Sequence, residues 1–370
     1  MQQRPTHATI DLAAIEANAR LLVDSAAPAR LMAVVKADGY GHGSVPVAQA
    51  ALEGGATWLG VALVEEGRAL RAAGITAPLL LFSEPPTDAA EEVVQLGLTP
   101  VVYTEPGIRA LGVAARAASI TLGVHLKVDT GMRRVGAEPE EVLGLARLIV
   151  AESSLQLEGI MSHLAVADEP GDGVVQQCKR FDEVLAALEG AGIDPGVRHI
   201  ANSAALLAHP ETRYDMVRVG IALYGLAPVP TELELKPAMS LVSAVSFVKR
   251  VHADEAVSYG WRYRTQHETT IATVPIGYAD GVRRALHAVG GEVLIRGQRL
   301  PLAGTITMDQ IMVDVGNADV HVGDLVTLIG TDGGETVTAD EWARALGTIS
   351  YEIVCSLSPR VPRVYSGAQR

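Results

Sequence analysis

The sequence predicts an α/β fold in which a (β/α)8 TIM barrel is followed by a mostly β C-terminal domain. Eight short apolar runs alternate with segments rich in Ala, Leu, Glu and Arg over the first two-thirds of the 370 residues. Eight strand–helix units in roughly 220 residues fit the size of a TIM barrel. The Pro-containing stretch at residues 226–239 indicates a linker, and strand patterns dominate after it. We therefore expect a barrel domain over residues 1–232 and a β domain over residues 233–370.

The predicted barrel strands are continuous apolar runs rich in Val, Leu and Ile, as is typical of parallel strands that helices cover on both faces. They lie at Leu31–Val35, Trp58–Ala62, Leu79–Phe82, Thr99–Tyr103, Thr121–Val128, Leu157–Ser162, Arg198–Ala201 and Asp215–Val219. The segment "QQCKRFDEVLAALEGAG" shows the clearest helix between two of them. Phe181, Val184, Leu185 and Leu188 follow the i, i+3, i+4, i+7 pattern of an amphipathic helix, and Gly190 ends it.

Strand patterns with Gly-rich turns characterise the last third of the chain. The helix "TADEWARALG" interrupts them, with Thr338 and Glu341 spaced as a capping box and Gly347 at its end. Near the N-terminus, Thr9–Ile10 also has the pattern of a short strand, without an identifiable partner. The predicted strands of the second domain are Leu241–Arg250, Thr269–Pro275, Glu292–Arg296, Ile311–Val315 and Asp324–Ile329.

The composition excludes several classes of function. The formal net charge is −13, which disfavours a nucleic-acid partner because such partners need Lys and Arg to neutralise phosphates. Cys178 and Cys355 lie far apart and are expected to be reduced thiols. The chain shows neither a signal-peptide core nor an uncharged apolar run of about 20 residues, so no membrane association is expected. We expect a cytoplasmic protein.

Polar side chains follow five of the eight predicted strands. In a TIM barrel the carboxyl ends of the strands form the catalytic rim, so these groups are expected to converge there. Glycines and the backbone after the last strand add N–H groups to the same rim. The rim candidates are Lys36, Lys127, Asp129, Arg133, Arg134, His163, Asn202, Ser203, Arg218, Gly220 and Ile221.

Lys36 is the most informative of these candidates. A lysine at the end of a buried strand can have its pKa lowered by burial or by other cations, and it can then form a Schiff base with a carbonyl group. The loops after strands 7 and 8 are a frequent phosphate site of this fold, and here they contain Ser203, Gly220 and Ile221. This combination favours either pyridoxal phosphate or a sugar-phosphate substrate. A surface lysine whose stem covers apolar residues is the simpler alternative for Lys36 alone.

Other motifs lack the residues that their chemistry needs. "GYGHGS" has no P-loop lysine, and Ser44 stands where a dinucleotide-binding motif has its third glycine. The ten histidines show no metal-ligand spacing, so no metal is expected.

Nine motifs, in order along nearly the whole chain, resemble those of the alanine racemases, which have a TIM barrel and a C-terminal β domain. The match is most specific in the lysine motif "AVVKADGYGHG" (33–43), "VSYGWRY" (257–263), "ATVPIGYADG" (272–281) and "TMDQIMVDV" (307–315). The others are "HLKVDTGMRRVG" (125–136), "GIMSHLAVADEP" (159–170), "ANSAA" (201–205), "MVRVGIALYG" (216–225) and "YEIVCSLSPRVPRVY" (351–365).

The resemblance implies a pyridoxal 5'-phosphate-dependent homodimer that interconverts L- and D-alanine and supplies D-alanine for peptidoglycan. Lys36 would hold the cofactor, and Tyr259 from the other subunit would be the second acid/base. The cofactor site would also include Tyr40, His163, Asn202, Ser203, Arg218, Gly220, Ile221 and Tyr351. Arg134, Met308 and Asp309 would bind the substrate carboxylate, Lys127 would match a lysine often carbamylated in the family, and Tyr278 would narrow the entry channel.

Two of these implied roles follow a chemical logic. Racemisation removes a proton from one face of Cα and delivers another to the opposite face, so two bases are expected, Lys36 and Tyr259. A guanidinium keeps its proton, so Arg218 would donate to an unprotonated pyridine nitrogen. That donation would leave the pyridine ring less able to withdraw electron density from Cα. Return of the proton to Cα would then be favoured over transamination.

Some features of the sequence leave the substrate range open. Many relatives have arginine at the position of Thr305, cysteine or serine at that of Thr307, and glycine at that of Arg133. A serine or broad-spectrum racemase is therefore a close alternative. A fold-related decarboxylase fits less well, because Cys355 lies inside the "YEIVCS" match. A non-enzymatic carrier of pyridoxal phosphate and a Schiff-base aldolase are the remaining alternatives.

Overall fold

The computed structural model describes residues 4–367, which form two compact units. One unit is Ala14–Lys236, and the other combines Met1–Ala13 with Pro237–Arg370. The expected barrel domain, residues 1–232, therefore differs from the observed unit in its first thirteen residues. The cause is β1, a strand whose two partners both come from the C-terminal part of the chain.

The described residues contain twenty strands, eleven α-helical segments and six short 3-10 helices. The strands are β1 His7–Asp11, β2 Arg30–Val34, β3 Trp58–Val61, β4 Leu79–Leu81, β5 Thr99–Val102, β6 Leu122–Lys127, β7 Leu155–Met161, β8 Val197–His199, β9 Met216–Val219, β10 Met239–Ala244, β11 Phe247–Val251, β12 Ala256–Val257, β13 Tyr263–Arg264, β14 Thr269–Val274, β15 Glu292–Ile295, β16 Gln298–Pro301, β17 Ile311–Gly316, β18 Leu325–Asp332, β19 Glu335–Val337 and β20 Arg363–Ser366. The helical segments are α1 Leu12–Ala26, α2 Lys36–Tyr40, α3 Ser44–Glu53, α4 Val64–Ala72, α5 Ala90–Gln95, α6 Glu105–Ala117, α7 Pro139–Ala151, α8 Gly173–Gly190, α9 Ser203–Ala208, α10 Ala339–Leu346 and α11 Ser350–Cys355.

The first of the two units is a nearly closed parallel barrel. Its eight strands follow the order β8-β7-β6-β5-β4-β3-β2-β9, and every neighbouring pair is parallel. Two backbone hydrogen bonds join the edge segments: Asp215 N–H donates to the Arg198 carbonyl, and Arg218 N–H donates to the Ala201 carbonyl, both at 3.1 Å. All eight predicted barrel strands are confirmed, and so is the fold class.

Helix α8 shows how local sequence and burial agree in this unit. Phe181, Val184 and Leu188 are buried, while Leu185 is partly exposed at the edge of the same stripe. Burying one such side chain contributes about 1.5–3 kcal/mol. The helix ends at Gly190 as predicted. No helix in residues 4–367 is both long enough and apolar enough to cross a membrane.

The second unit is built mainly from β-sheets. A seven-stranded sheet has the order β16-β15-β18-β10-β1-β20, with β19 attached to β18. β1 lies antiparallel to β10 and parallel to β20, which supplies the partner that the pattern at Thr9–Ile10 lacked. A three-stranded sheet, β11-β14-β17, and the hairpin β12-β13 complete it.

The predicted strand Leu241–Arg250 is two strands in the structure. β10 pairs with β18 in the large sheet, whereas β11 pairs with β14 in the small one, so the chain changes sheets between them. Helix α10 has the predicted capping box: Thr338 Oγ1 accepts from Glu341 N–H at 3.0 Å, and Gly347 ends the helix with φ of 68°. Strands β12, β13, β16, β19 and β20 and helix α11 were not predicted.

Candidate active site

Polar side chains from five barrel strands meet at the carboxyl rim. Lys36 lies shortly after β2, Lys127 is the last residue of β6, and His163 lies shortly after β7. Ser203 begins α9 after β8, and Arg218 lies on β9. Lys127, Ser203 and Arg218 are buried, so they line the interior of the rim and are not surface groups. The structure thus gathers these sequence-predicted groups in one place.

Lys36 opens a left-handed turn. The φ angles of Ala37, Asp38, Gly39 and Tyr40 are 52°, 51°, 60° and 52°. Three residues with side chains therefore adopt the left-handed conformation here together with Gly39. Each of them costs roughly 1–2 kcal/mol. Such strain persists only where the surroundings hold it, and it clusters at functional sites.

Two carboxylates hold this turn. Glu66 Oε1 accepts from Ala37 N–H at 2.6 Å, and its other oxygen accepts from Ala62 N–H at 2.8 Å. Asp38 Oδ1 accepts from Ser44 N–H at 3.0 Å, which links the turn to the start of α3. The backbone beside Lys36 is therefore fixed on both sides.

Tyr40, Ser203 and Gly220 form a small polar cradle. A Cβ atom at Gly220 would lie 2.4 Å from Tyr40 Oη, so only glycine leaves room for that hydroxyl. Ser203 Oγ accepts from Gly220 N–H at 2.9 Å and from Ala222 N–H at 3.4 Å. The Tyr40 ring packs on Tyr224, with centroids 4.9 Å apart. Hydroxyls and backbone N–H groups at this position of a barrel suit a phosphate.

Asn202 and Ile221 support the cradle from either side. Asn202 Oδ1 accepts from Ala205 N–H at 3.0 Å and so caps α9, the helix that begins with Ser203. Ile221 is buried and begins a short 3-10 helix, Ile221–Tyr224, directly after Gly220. Both residues fix the backbone from which the cradle is built.

Arg218 is the most constrained side chain of the site. Nη1 donates to the Nδ1 atom and the carbonyl of His199, both at 3.0 Å. Nη2 lies within hydrogen-bonding distance of the carbonyls of Ser162 and Ile200, at 2.7 and 3.0 Å, and of His163 Nδ1, at 3.2 Å. Within residues 4–367 no acceptor engages its Nε–H. Burial lowers the pKa of Arg218 to about 9, so it remains a cation at neutral pH.

Several cations lie close together around Arg218. Burial, followed by the charges of Arg218, Arg134 and Lys36, lowers the pKa of Lys127 to about 8. Burial and the same cations hold the pKa of His163 well below its usual range, so His163 is neutral. Since its Nδ1 accepts from Arg218, its proton belongs on Nε2. A rim with this excess of positive charge suits an anionic ligand.

Five of the predicted residues, Tyr259, Tyr278, Met308, Asp309 and Tyr351, belong to the second unit. Tyr259 is 71% exposed and begins the short helix Tyr259–Trp261. Its carbonyl accepts from Thr305 Oγ1 at 2.8 Å, and the Thr305 carbonyl in turn accepts from Ser258 Oγ at 2.6 Å. Thr305 is fully buried. It therefore supports the loop of Tyr259, a role that the sequence did not reveal.

Two backbone hydrogen bonds place Tyr278 beside Met308 within the same unit. Tyr278 N–H donates to the Thr307 carbonyl at 3.0 Å, and Ala279 N–H donates to the Met308 carbonyl at 3.1 Å. Asp309 Oδ1 pairs with Arg360 Nη2 at 2.7 Å. A carboxylate repels another carboxylate, so this residue is suited to bind one through its backbone N–H. Tyr351 lies on α11.

Sequence reasoning missed His125 and His199. Both are fully buried in the barrel and hydrogen-bond to each other at 2.7 Å. The alternation of side chains along a strand could have identified His125, because it places His125 on the same face of β6 as Lys127. At Arg133 the structure shows φ of 56°, a conformation that glycine adopts without strain, and its side chain pairs with Glu138.

The fold and the site define a TIM-barrel protein whose carboxyl rim gathers cations and suits an anionic ligand. Family models named "Alanine racemase, N-terminal domain" and "Alanine racemase, C-terminal domain" match residues 10–228 and 238–365. The chain belongs to the alanine racemase family. Members of this family are isomerases that depend on pyridoxal 5'-phosphate, so the predicted class and cofactor are confirmed.

Individual relatives agree with this assignment. An alanine racemase of Symbiobacterium thermophilum is 49% identical over 369 residues, which cover 98% of each chain. A crystal structure of alanine racemase from Streptomyces lavendulae has a TM-score of 0.94 at 42% identity and covers 100% of this chain and 99% of that one. A histidine racemase from Leuconostoc mesenteroides has a TM-score of 0.90 at 28% identity, over 99% of each chain.

Proposed function

We propose that this protein interconverts L- and D-alanine with pyridoxal 5'-phosphate held by Lys36, and that D-alanine serves cell-wall peptidoglycan. The observation that carries the proposal is the geometry of Arg218. Its other N–H groups are occupied by protein acceptors, while residues 4–367 leave its Nε–H without one. Arg218 Nε is not among the buried side-chain atoms that lack a partner, so this N–H faces open space, where the pyridine nitrogen of a ligand can accept from it.

The other rim residues fit the remaining parts of the cofactor. The hydroxyls of Tyr40 and Ser203 are the proposed donors for its phosphate, and the missing side chain of Gly220 leaves room for the Tyr40 hydroxyl. When bound, pyridoxal phosphate withdraws electron density from the substrate Cα and makes its proton acidic. The protein must then move protons on the two faces of Cα.

Lys36 and the partner subunit's Tyr259 are the proposed bases for these two faces. The Lys36 amine is the group proposed to take or return a proton on its own face. Tyr259 is exposed, together with Trp261 at 71% and Met308 at 52%, so these residues form an apolar surface available to a second copy. This surface supports the proposed homodimer. The Nε2–H of His163 is suited to hydrogen-bond the phenolic oxygen of Tyr259.

Substrate recognition is assigned to positive charge and backbone donors. Arg134 contributes to the cationic rim and is proposed to bind the substrate carboxylate, together with Met308 and Asp309 of the second copy. Tyr278, next to Met308, is proposed to narrow the entrance. The lowered pKa of Lys127 leaves a usable fraction of neutral amine near neutral pH, which favours its carbamylation by CO2.

A broader substrate range is the second candidate. The histidine racemase cited above shares the fold, so the fold alone does not select alanine. The proposed place of action is the cytoplasm, which agrees with the reduced cysteines Cys178 and Cys355.

One experiment tests both candidates. The purified protein is assayed for racemisation of a panel of amino acids, with and without added pyridoxal phosphate, and its absorbance is recorded before and after borohydride treatment. We expect rapid racemisation of alanine and an absorbance band at the edge of the visible range that borohydride removes. Lys36→Ala should lack both. A colourless wild-type protein without racemase activity contradicts the proposal, and faster turnover of serine or histidine favours the second candidate.

A further inference from the structure

A line of polar side chains crosses the apolar interior of the barrel from the catalytic rim towards the opposite mouth. His199 Nδ1 lies 3.0 Å from Arg218 Nη1, and its Nε2 lies 2.7 Å from His125 Nδ1. His125 Nε2 lies 4.0 Å from Glu158 Oε2. The surrounding interior is apolar; its core residues are Met32, Trp58, Leu80, Val101, Met161 and Met216.

The charge of Arg218 dictates the direction of every hydrogen bond in this line. A guanidinium only donates, so His199 Nδ1 must accept and the proton of His199 lies on Nε2. That proton is donated to His125 Nδ1, which places the proton of His125 on its own Nε2. Burial lowers the pKa of His125 to about 3 and that of His199 well below its usual range, so both rings are neutral. The line therefore ends in a buried N–H that has no hydrogen-bond partner, with the Glu158 carboxylate 4.0 Å away; that carboxylate accepts from Thr99 Oγ1 at 3.4 Å.

A bulge in β7 and two glycines, Gly123 and Gly159, make room for these side chains. Val124 pairs with Leu157 and His125 pairs with Gly159, so Glu158 is an extra residue in a bulge of β7. Bulges re-aim side chains and are frequent near active sites. A Cβ atom at Gly159 would lie 2.7 Å from His125 Cε1, and one at Gly123 would lie 2.3 Å from Glu158 Oε2.

Glu158 also supplies a charge that the rim lacks. The protein acceptors of Arg218 are carbonyls and neutral imidazoles, so the buried cation has no anion at hydrogen-bonding distance. Hydrogen bonds in a chain polarise one another, so an anion at one end stabilises a cation at the other. Glu158 faces a cavity of about 1080 Å³ at the amino-terminal mouth. The charged residues that line this cavity with it are Arg30, Glu189, Asp194, Arg198 and Asp215.

We propose that Glu158 is a positioning residue of the racemase site, which through His125 and His199 orients Arg218 with its Nε–H towards the cofactor. Glu158 touches neither substrate nor cofactor in this assignment. The inference depends on the proposed function for its effect on catalysis. Its effect on the two imidazoles does not depend on that function.

The first test is ¹⁵N NMR of histidine-labelled protein. We compare wild type with Glu158→Gln, which keeps the shape and removes the charge, and with Glu158→Asp, which keeps the charge. Glu189→Gln is the matched control, because Glu189 lines the same cavity and is exposed. We expect the ¹⁵N and ¹H shifts of the His125 Nε2–H group, which lies nearest the carboxylate, to change in Glu158→Gln and to stay near the wild-type values in Glu158→Asp and Glu189→Gln.

The second test is steady-state kinetics on the same variants. Glu158→Gln should lower kcat by about 3- to 10-fold, because the chain that leads to the buried cation loses the negative charge at its far end, and leave KM for alanine unchanged. Burial raises the pKa of Glu158, so the wild-type rate should fall at acidic pH as this carboxylate is protonated, and Glu158→Gln should lose that limb. The inference is overturned if Glu158→Gln and Glu189→Gln have the same imidazole NMR shifts, the same kcat and the same pH profile. A wild-type protein without racemase activity counts against the proposed function, and the imidazole NMR shifts still decide the inference.

Discussion

The hydroxyl of Thr305 donates a hydrogen bond of 2.8 Å to the backbone carbonyl of Tyr259, which ties the proposed second base to a fully buried side chain. Thr305→Val keeps the shape and removes the donor. We expect kcat to fall by about 3- to 10-fold, because the carbonyl loses its partner and the loop loses its fixed position. Thr331→Val, which changes an exposed threonine of β18, is the control in the same assay. Equal kcat values for the two variants would show that Thr305 does not support Tyr259.

Tyr259→Phe should separate the two directions of the reaction. A phenylalanine cannot move a proton, so exchange of the Cα proton with solvent deuterium should be lost for the enantiomer whose proton Tyr259 removes. Exchange through Lys36 should continue for the other enantiomer. Tyr365→Phe, at an exposed tyrosine of β20, is the control. Equal retention of exchange for both enantiomers would remove Tyr259 as a base.

Gly220→Ala should weaken cofactor binding. The new Cβ atom would lie 2.4 Å from Tyr40 Oη and would displace the hydroxyl from the cradle. We expect the Kd for pyridoxal phosphate, measured by absorbance titration, to rise at least tenfold, a loss of about 1.4 kcal/mol. Gly144→Ala in α7 is the control, because a Cβ there meets nothing within 4 Å. An unchanged Kd for Gly220→Ala would mean that the cradle does not hold the phosphate.

The lowered pKa of Lys127 makes the stability of the cofactor-free protein depend on pH. Its folded-state pKa of about 8 lies below the usual lysine value of 10.5, so the protonated amine is disfavoured in the folded state. The unfolded chain then binds more protons between these values, and stability should rise with pH through this window. Lys127→Met should remove that rise and stabilise the protein at pH 7 in CO2-free buffer. Lys249→Met, at an exposed position of β11, is the control for urea unfolding.

The same lysine allows a direct test of carbamylation. Protein equilibrated with ¹³C-labelled CO2 should show a carbamate carbonyl resonance in its ¹³C spectrum. Lys127→Met should lack the resonance, whereas Lys249→Met should retain it. A resonance that persists in Lys127→Met would assign the carbamate to another amine.

Arg218→Glu should increase transamination. A carboxyl group at this position allows the pyridine nitrogen to be protonated. A protonated ring withdraws electron density more strongly from the substrate Cα, so the proton would be returned to a carbon of the cofactor instead of to Cα. We expect a higher rate of half-transamination, measured as loss of cofactor absorbance during turnover. The variant also leaves the carbonyls of Ser162 and Ile200 without their donor, so its melting temperature must be recorded. A folded variant without increased transamination would contradict the proposed role of Arg218.

The barrel was predictable because each of its strands carries its own signal. An apolar run such as Leu79–Leu81 is buried on both faces, so its burial needs no knowledge of distant residues. The sheet change between β10 and β11 was not predictable, because nothing in the apolar run marks which partner each half pairs with. β1 was similarly visible as a pattern, while its partners, β10 and β20, lie more than 200 residues away.

The sequence by itself determined which chemical groups reach the rim, because a residue that follows a parallel barrel strand lies at the carboxyl end wherever that strand is placed. This holds for Lys36, Lys127 and Arg218. Tertiary structure alone decided what those groups contact. The bond from Arg218 to His199 spans 19 residues and the one from His125 to His199 spans 74, so both depend on strand register around the barrel. Local patterns record burial and turns, whereas hydrogen-bond partners far apart in the chain exist only once the barrel has closed.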